Sequence, residues 1–195
     1  MRVAEVHRKT RETDIRVTLN LDGRGEHAVQ SGIAFLDHML RHLTTHGLFD
    51  LTLRAEGDLE IDPHHTVEDC ALTLGEAFDR ALAERRGIAR MGAAHVPMDE
   101  SLAFVAVDFS GRPYAVIQVE WHTPTIGAMP TSLVAHFLES FAVAARANLH
   151  ARVLYGRDDH HQAEALFKAL GRALDQATML DPRRVNGIPS TKGRL

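Results

Sequence analysis

The hydrophobic positions of this chain follow two different periods, and the periods change in the same order in both halves. In the first half, three segments alternate apolar and polar residues, as half-buried strands do. Two longer segments carry apolar residues three and four apart, as amphipathic helices do. The predicted strands cover 2–9, 13–21 and 48–55, and the predicted helices cover 33–46 and 64–84. The first half is therefore predicted to be β-β-α-β-α.

The second half repeats this order. Its predicted strands cover 101–109, 114–121 and 149–155, and its predicted helices cover 133–147 and 160–178. Without gaps, 64–82 and 160–178 are identical at eight of 19 positions. We infer a duplication, with a first repeat over 1–88, a second over 89–180 and a C-terminal tail over 181–195. The predicted class is α+β, a two-layer α/β sandwich in which each repeat packs a sheet on helices.

The motif His-His-x-x-Glu opens the second predicted helix of each repeat. Residues three and four apart share a helix face, so each histidine can lie beside the glutamate. A set of imidazole and carboxylate ligands without thiolate is typical of sites for Mn, Fe, Co or Zn. The first helix of each repeat adds one histidine at a matching position. The eight candidate ligands are His38, His64, His65, Glu68, His136, His160, His161 and Glu164.

Neighbouring residues on a helix point about 100° apart. His64 and His65 therefore cannot easily bind one ion from the same helix, and the same holds for His160 and His161. The simplest arrangement is two metal ions, with the two histidines of a pair reaching toward different ions. We expect each ion to take ligands from both repeats, across a subunit boundary.

Composition narrows the class of protein. The chain has 195 residues, 45% hydrophobic residues, 25% charged residues and a net charge of -4. It has no basic stripe that would favour nucleic acid, and no apolar run of membrane-spanning length. The single cysteine, Cys70, excludes an internal disulfide, and the N-terminus lacks a signal-peptide pattern. These features favour a cytoplasmic globular protein that binds neither nucleic acid nor membrane.

The two copies of the motif differ in charge. Lys168 lies four residues after Glu164, whereas the matching position in the first copy is Leu72. A lysine beside only one of the two motifs favours a site that binds an anionic ligand or transfers protons. The alternative is an ordinary ion pair between Glu164 and Lys168 on the helix surface. On the first helix, His42 and His46 continue the spacing of four. A role at the site is expected more for His46 than for His42.

Several residues are candidates for binding an anion. The tail segment 188–193 combines two hydroxyls, a lysine and a glycine, which together can surround a phosphate. Arg90 and Arg112 lie beside glycines in predicted loops. Each of these signals alone is also typical of an ordinary exposed loop or tail.

These motifs, taken together, resemble imidazoleglycerol-phosphate dehydratases, the dehydratases of histidine biosynthesis. The matching stretches cover almost the whole chain. They include FLDHML at 35–40, HGLFD at 46–50, DPHHTVED at 62–69, PMDE at 97–100, SGRPY at 110–114, His136-Phe137, 160–169 and PSTKG at 189–193. His42 is not part of the family pattern.

The resemblance implies a carbon–oxygen lyase with a fold like that of the second domain of ribosomal protein S5, with two four-stranded sheets. It also implies a cage of twenty-four subunits, active sites between subunits and two Mn(II) ions per site. All eight candidate ligands match the family's ligand positions. The residues implied to line the substrate and hold its phosphate are Glu12, His46, Arg90, Asp99, Arg112, Lys168, Ser190, Thr191 and Lys192. Glu12 and Asp99 rest on the resemblance alone.

The substrate of such an enzyme is a small phosphate ester that carries an imidazole ring and must lose water from adjacent carbons. Metal ions on both ring nitrogens would hold the ring as imidazolate, because a cation favours the deprotonated form. The ring electrons would then expel the neighbouring hydroxyl. Glu12 and Glu164 are the candidates for proton transfer, with Lys168 and Asp99 as alternatives that the sequence does not rank.

Three other classes of protein stay open at this point. A binuclear hydrolase would use the metals to activate water and would release phosphate. A metal-storing cage would load metal far above stoichiometric amounts. A purely structural oligomer would leave the duplicated motif without a role.

Overall fold

The computed structural model describes residues 2–184 and 187–195. The first half contains β1 (Val3–Lys9), β2 (Thr13–Asn20), β3 (His27–Gln30), α1 (Ala34–Gly47), β4 (Asp50–Gly57) and α2 (His64–Leu82). The second contains β5 (Met91–Met98), β6 (Ser101–Asp108), β7 (Tyr114–Gln118), β8 (Thr125–Ile126), β9 (Met129–Pro130), α3 (Ser132–Ala144), β10 (Asn148–Tyr155) and α4 (Asp159–Thr178). A short 3-10 helix, Pro182–Arg184, follows.

The two halves build four-stranded sheets of the same topology. The first sheet has the order β1-β2-β4-β3 and the second the order β5-β6-β10-β7. In each sheet the first three strands are antiparallel, and the last, β3 or β7, runs parallel to its neighbour. The repeated topology confirms the predicted α+β class with two sheets packed on helices.

The hydrophobic pattern does not predict the two-residue strands β8 and β9, and each four-stranded sheet contains one strand more than the pattern predicts. In the first half this is β3, which has four residues and buries only Val29. In the second half it is β5, which lies at the edge of its sheet and contains a glycine and a proline. Edge strands need fewer buried residues and tolerate proline, so their sequences alternate too weakly to be recognised. The strand predicted over 114–121 also ends earlier, at Gln118.

The core lies between the sheets and the helices. Ile15, Val17 and Leu19 on β2 are almost fully buried, as the predicted alternation requires. The helix α2 packs on β1 and β2, and α4 packs on β5 and β6. The helices of the two halves also pack on each other, α1 on α4 and α2 on α3. The helices therefore lie between the two sheets, and each of these contacts brings together a helix from either half.

The segment that connects the two halves lies beside the C-terminal segment. Ala89 N donates a hydrogen bond to Met179 O, and Gly87 N donates one to Gly187 O. We propose that the boundary between the two repeats lies after residue 88, because the strands of the first sheet end at residue 57 and those of the second begin at residue 91. Within the proposed tail, 185–186 lie outside the described residues. Over the described part of the chain, the helices are too short or too polar to span a membrane.

Two glycines at matching positions of the repeats allow the helices to cross closely. A Cβ atom at Gly75 on α2 would lie 2.6 Å from Phe141 O of α3. A Cβ atom at Gly171 on α4 would lie 2.5 Å from Leu43 O of α1. A carbon atom and a backbone oxygen do not approach this closely. The helix backbones can therefore cross at these points only because glycine has a hydrogen atom in place of a side chain.

We expect Gly171→Ala to lower the free energy of unfolding by at least about 1 kcal/mol. Alanine favours a helix over glycine by about 1 kcal/mol, but a Cβ atom 2.5 Å from a backbone oxygen requires the backbone to move, which places the cost of overpacking at or above the upper end of about 1–3 kcal/mol. Chemical denaturation at fixed protein concentration measures the change. Arg172→Ala, at the exposed neighbouring position on α4, is the control, with a change within about 0.5 kcal/mol. An unchanged midpoint for Gly171→Ala would contradict the close crossing.

Candidate active site

The contact between α1 and α4 brings together a first group of candidate metal-ligand side chains: His38, His160 and Glu164. One ligand atom from each lies within 4.8 Å of the others. The Nε2 atoms of both histidines are 3.4 Å from Glu164 Oε2. His38 comes from the first repeat and the other two from the second, so this group combines both repeats.

The contact between α2 and α3 brings together the second group: His64, Glu68 and His136, again with ligand atoms within 4.8 Å. The imidazole rings of His64 and His136 are stacked, with centroids 4.6 Å apart. His136 Nε2 lies 3.4 Å from Glu68 Oε1. This group takes one histidine from the second repeat and two residues from the first. The two repeats therefore exchange roles between the two groups.

An aspartate just before each motif starts the helix that carries it. Asp62 Oδ1 accepts a hydrogen bond from His64 N at 2.7 Å, and Asp158 Oδ1 accepts one from His160 N at 2.8 Å. Carboxylates at this position satisfy free backbone N–H groups and interact favourably with the helix dipole. Each motif therefore begins in the first turn, at the end of the helix nearest the other candidate ligands.

The donor set fits a divalent cation. His136 Nε2 is buried and has no hydrogen-bond partner among the described residues. A buried polar atom without a partner costs about 1–3 kcal/mol, so such atoms commonly have a ligand or a water. Two imidazoles and one carboxylate per group, without thiolate, match the preferences of borderline metals.

The second histidine of each pair does not join these groups. His65 follows His64 on the helix and is therefore rotated by about 100° around the helix axis, and the planes of the two rings meet at 88°. His65 Nδ1 hydrogen-bonds to Asp58 Oδ2 at 3.0 Å. His161 Nδ1 hydrogen-bonds in the same way to Glu100 Oε2 at 2.7 Å. In each case the carboxylate raises the pKa of the imidazole, and the ring's Nε2 is directed away from the carboxylate.

The two residues suggested only by the resemblance lie beside these turned histidines. Glu12 is in the β1–β2 turn, with Oε1 3.9 Å from His65 Nε2. Asp99 is in the β5–β6 turn, with Oδ2 3.9 Å from His161 Nε2. Their side chains are 54% and 72% exposed, so both carboxylates are accessible. Each repeat thus has a carboxylate in the turn between the first two strands of its sheet.

Lys168 is joined to the first group. Its Nζ lies 2.6 Å from Glu164 Oε1, and both side chains are mostly buried. Burial raises the pKa of Glu164, but the hydrogen bond from Lys168 and the nearby histidines outweigh it, so the pKa lies below its ordinary value. Because Glu164 Oε1 is engaged, Oε2 is the oxygen that faces the imidazoles. The matching Glu68 has Leu72 in place of the lysine.

His42 lies closer to the first group than its sequence position suggested. Its Nε2 is 3.3 Å from His38 Nε2 and 3.4 Å from Glu164 Oε2. Burial lowers its pKa to about 4. His46 stacks on the His42 ring at 6.0 Å, and burial also lowers its pKa. Both rings therefore continue the row of imidazoles along α1.

The predicted anion-binding residues lie around the C-terminal segment. Arg90 donates two hydrogen bonds to Asp108, at 2.6 and 2.9 Å, and one to Pro189 O at 2.8 Å. Lys192 N donates to Ser190 Oγ at 3.1 Å. The chain then reaches Gly111, where Leu195 lies against the turn that carries Arg112. The structure thus brings the tail to Arg90 and to the Arg112 turn, and Thr191 is exposed between them.

Sequence reasoning did not identify Asp58 and Glu100. Glu100 appeared only as part of the PMDE stretch. Neither belongs to the His-His-x-x-Glu motif, and each contacts its histidine from a different element. For Asp58 the only sequence signal was a carboxylate shortly before the motif helix, and many loops have one; for Glu100 there was none, because it lies in the distant β5–β6 turn.

Comparisons with known proteins agree on one family. The family model described as imidazoleglycerol-phosphate dehydratase matches residues 31–174. Enzymes of that name from Roseiflexus sp. and Methanocella arvoryzae are 59% and 53% identical over 194 and 195 residues. These matches cover 100% of this chain, and 98% and 100% of the relatives.

Solved structures of imidazoleglycerol-phosphate dehydratase also match the fold. The enzyme from Pyrococcus furiosus has a TM-score of 0.84 at 35% identity, covering 97% of this chain and 100% of that one. The enzyme from Staphylococcus aureus has a TM-score of 0.83 at 31% identity, covering 92% of this chain and 99% of that one. The chain therefore belongs to the imidazoleglycerol-phosphate dehydratase family, the hydro-lyases of histidine biosynthesis.

Proposed function

We propose that this chain removes water from imidazoleglycerol phosphate, giving imidazole-acetol phosphate, at a site with two Mn(II) ions. The observation that carries the proposal is the pair of His/Glu groups, each combining both repeats, in which the buried His136 Nε2 has no hydrogen-bond partner among the described residues. The ligands would be His38, His160 and Glu164 for one ion, and His64, Glu68 and His136 for the other. Bound there, the ions would supply Lewis-acid positions that stabilise negative charge on the substrate's ring.

We propose further that His65 and His161 complete the sites of other copies of the chain. Each group offers three ligands from one chain. His65 and His161 hold their Nδ1 atoms in hydrogen bonds and have no place in either group. A fourth ligand from another copy would then bring active sites to subunit boundaries, in the cage of twenty-four subunits that the resemblance implies.

Among the residues proposed for proton transfer, Glu12 is the best placed. Its carboxylate is half exposed and lies near His65 Nε2, so it would face the substrate at the boundary between copies. Glu164 is less suited, because Lys168 and three imidazoles surround its oxygens. Lys168 would hold the Glu164 carboxylate in place, and Asp99 would act at the second hairpin, beside His161.

The phosphate would bind between Arg90, Arg112 and the tail residues Ser190, Thr191 and Lys192. This is supported by the bond from Arg90 to Pro189 O and by the contact of Leu195 with Gly111, which keep the tail beside both arginines. Guanidinium groups and free backbone N–H groups are strong phosphate donors. We propose that His46 lies along the substrate on the same side as Lys168.

Turnover of imidazoleglycerol phosphate, followed through its enolisable ketone product, tests the proposal. We expect metal-stripped protein to be inactive and activity to return with Mn(II). Release of inorganic phosphate instead of the ketone would favour a binuclear hydrolase. Metal uptake far above two ions per chain without turnover would favour a storage protein.

A further inference from the structure

The second histidine of each motif contacts a carboxylate through the same ring atom. In the first repeat, both oxygens of Asp58 lie near His65 Nδ1, at 3.3 and 3.0 Å. In the second, Glu100 Oε2 lies 2.7 Å from His161 Nδ1. The two carboxylates come from different places in the fold, since Asp58 follows β4 and Glu100 precedes β6. They are not copies of one ancestral position, yet both repeats arrive at the same contact.

This contact decides which nitrogen of the ring carries the proton. A carboxylate accepts a hydrogen bond, so it keeps the proton on Nδ1 and leaves the lone pair on Nε2. Histidines that bind metals typically donate their other N–H to such a partner, which orients the ring and increases its basicity as a ligand. The Nε2 atoms of His65 and His161, which lie 3.9 Å from the carboxylates of Glu12 and Asp99, are therefore the ring nitrogens suited to a metal.

The carboxylates are also partly shielded from water. The side chains of Asp58 and Glu100 are 14% and 23% exposed, and those of the two histidines 33% and 29%. Glu100 further accepts hydrogen bonds from Arg157 N and Asp158 N, which fix its carboxylate at the start of α4. Among the described residues, the side chain of Asp58 hydrogen-bonds to His65 alone. Both imidazoles are thus held before any neighbouring copy arrives.

We propose that Asp58 and Glu100 are positioning residues, each fixing one histidine so that its Nε2 is offered to a metal ion of a neighbouring copy. The inference rests on the proposed function, because it requires His65 and His161 to be metal ligands. Since the two histidines reach different ions, each carboxylate serves one ion of the pair. Removing one carboxylate should therefore weaken one ion and spare the other.

The test is the Mn(II) content of the assembled protein during titration with a chelator. Unmodified protein should hold two ions per chain. In Asp58→Ala, one of the two ions should be lost at about 10–100-fold lower chelator concentration, which is the usual effect of removing such a partner. Glu100→Ala should weaken the other ion. Asp58→Asn and Glu100→Gln, which retain an acceptor oxygen, should restore part of the affinity, and the Mn(II) electron paramagnetic resonance spectrum should report the altered site.

Glu60→Ala is the matched control, because it removes the same charge from an exposed position of the same loop. It should leave both ions unchanged. Glu100→Ala also removes contacts that hold the start of α4, so Asp58→Ala is the decisive variant. If Asp58→Ala binds both ions as tightly as the unmodified protein, the positioning role of Asp58 is overturned and the proposed function is not. Loss of both ions together in that variant would overturn the positioning role too, by indicating a structural role. An unmodified protein that binds no Mn(II) would overturn the proposed function along with it.

Discussion

Replacement of Glu12 by glutamine should reduce turnover by about 10²–10⁴-fold, the usual contribution of a group that transfers a proton in the transition state. Glutamine keeps the size and polarity of the side chain but cannot take up or release the proton. Glu12 belongs to neither His/Glu group, so both Mn(II) ions should remain bound. Steady-state turnover and metal content, measured on the same sample, provide the result.

A comparison with the second hairpin makes this prediction sharper. Asp99→Asn changes the matching carboxylate beside His161. If Glu12 alone transfers the proton, the Asp99 variant should lose much less activity. Turnover retained in Glu12→Gln would remove Glu12 from the mechanism. Loss of metal in that variant would instead indicate that Glu12 supports His65.

Glu164→Gln should have the largest combined effect on metal binding and activity. The carboxylate is a proposed ligand and also the partner of the buried Lys168. We expect one of the two ions to be lost and turnover to fall by about 10³-fold, since losing several kcal/mol of charge stabilisation at about 1.4 kcal/mol per tenfold has that effect. The free energy of unfolding should also fall, because a buried ammonium group without its partner is costly.

The duplication supplies a control for this variant. Glu68→Gln removes the matching carboxylate of the second group, where Leu72 stands in place of a lysine. It should also cost one ion and most of the activity, but leave no buried cation unpaired. Denaturation should therefore separate the two variants, with Glu164→Gln the less stable. Two full equivalents of Mn(II) in either variant would contradict the proposed ligand sets.

Much of the arrangement could be predicted from the sequence because its main signal is local. The spacing of histidine and glutamate in each motif is a property of one helix turn. The 100° step between His64 and His65 is another, and in the structure His64 lies in a His/Glu group that does not include His65. Duplication added a second copy of every local signal, and the strong alternation of the central strands predicted their positions.

The remainder depended on contacts between distant segments. No local pattern could tell that α1 would pack on α4 and α2 on α3, which is what combines the two repeats in each group. The strands β3 and β5 were missed because sheet pairing, not their own alternation, holds them. The position of His42 against Glu164 also follows from the α1–α4 contact and not from its spacing along α1.

The positions of the bound metal ions show whether the two His/Glu groups are the metal sites. A crystal structure of the Mn(II)-loaded protein, with anomalous scattering to identify the ions, would locate them. We expect two ions per chain, one at His38, His160 and Glu164 and one at His64, Glu68 and His136. Each should be completed by His65 or His161 of another copy. Ions completed within a single chain, or a single ion per chain, would contradict this account.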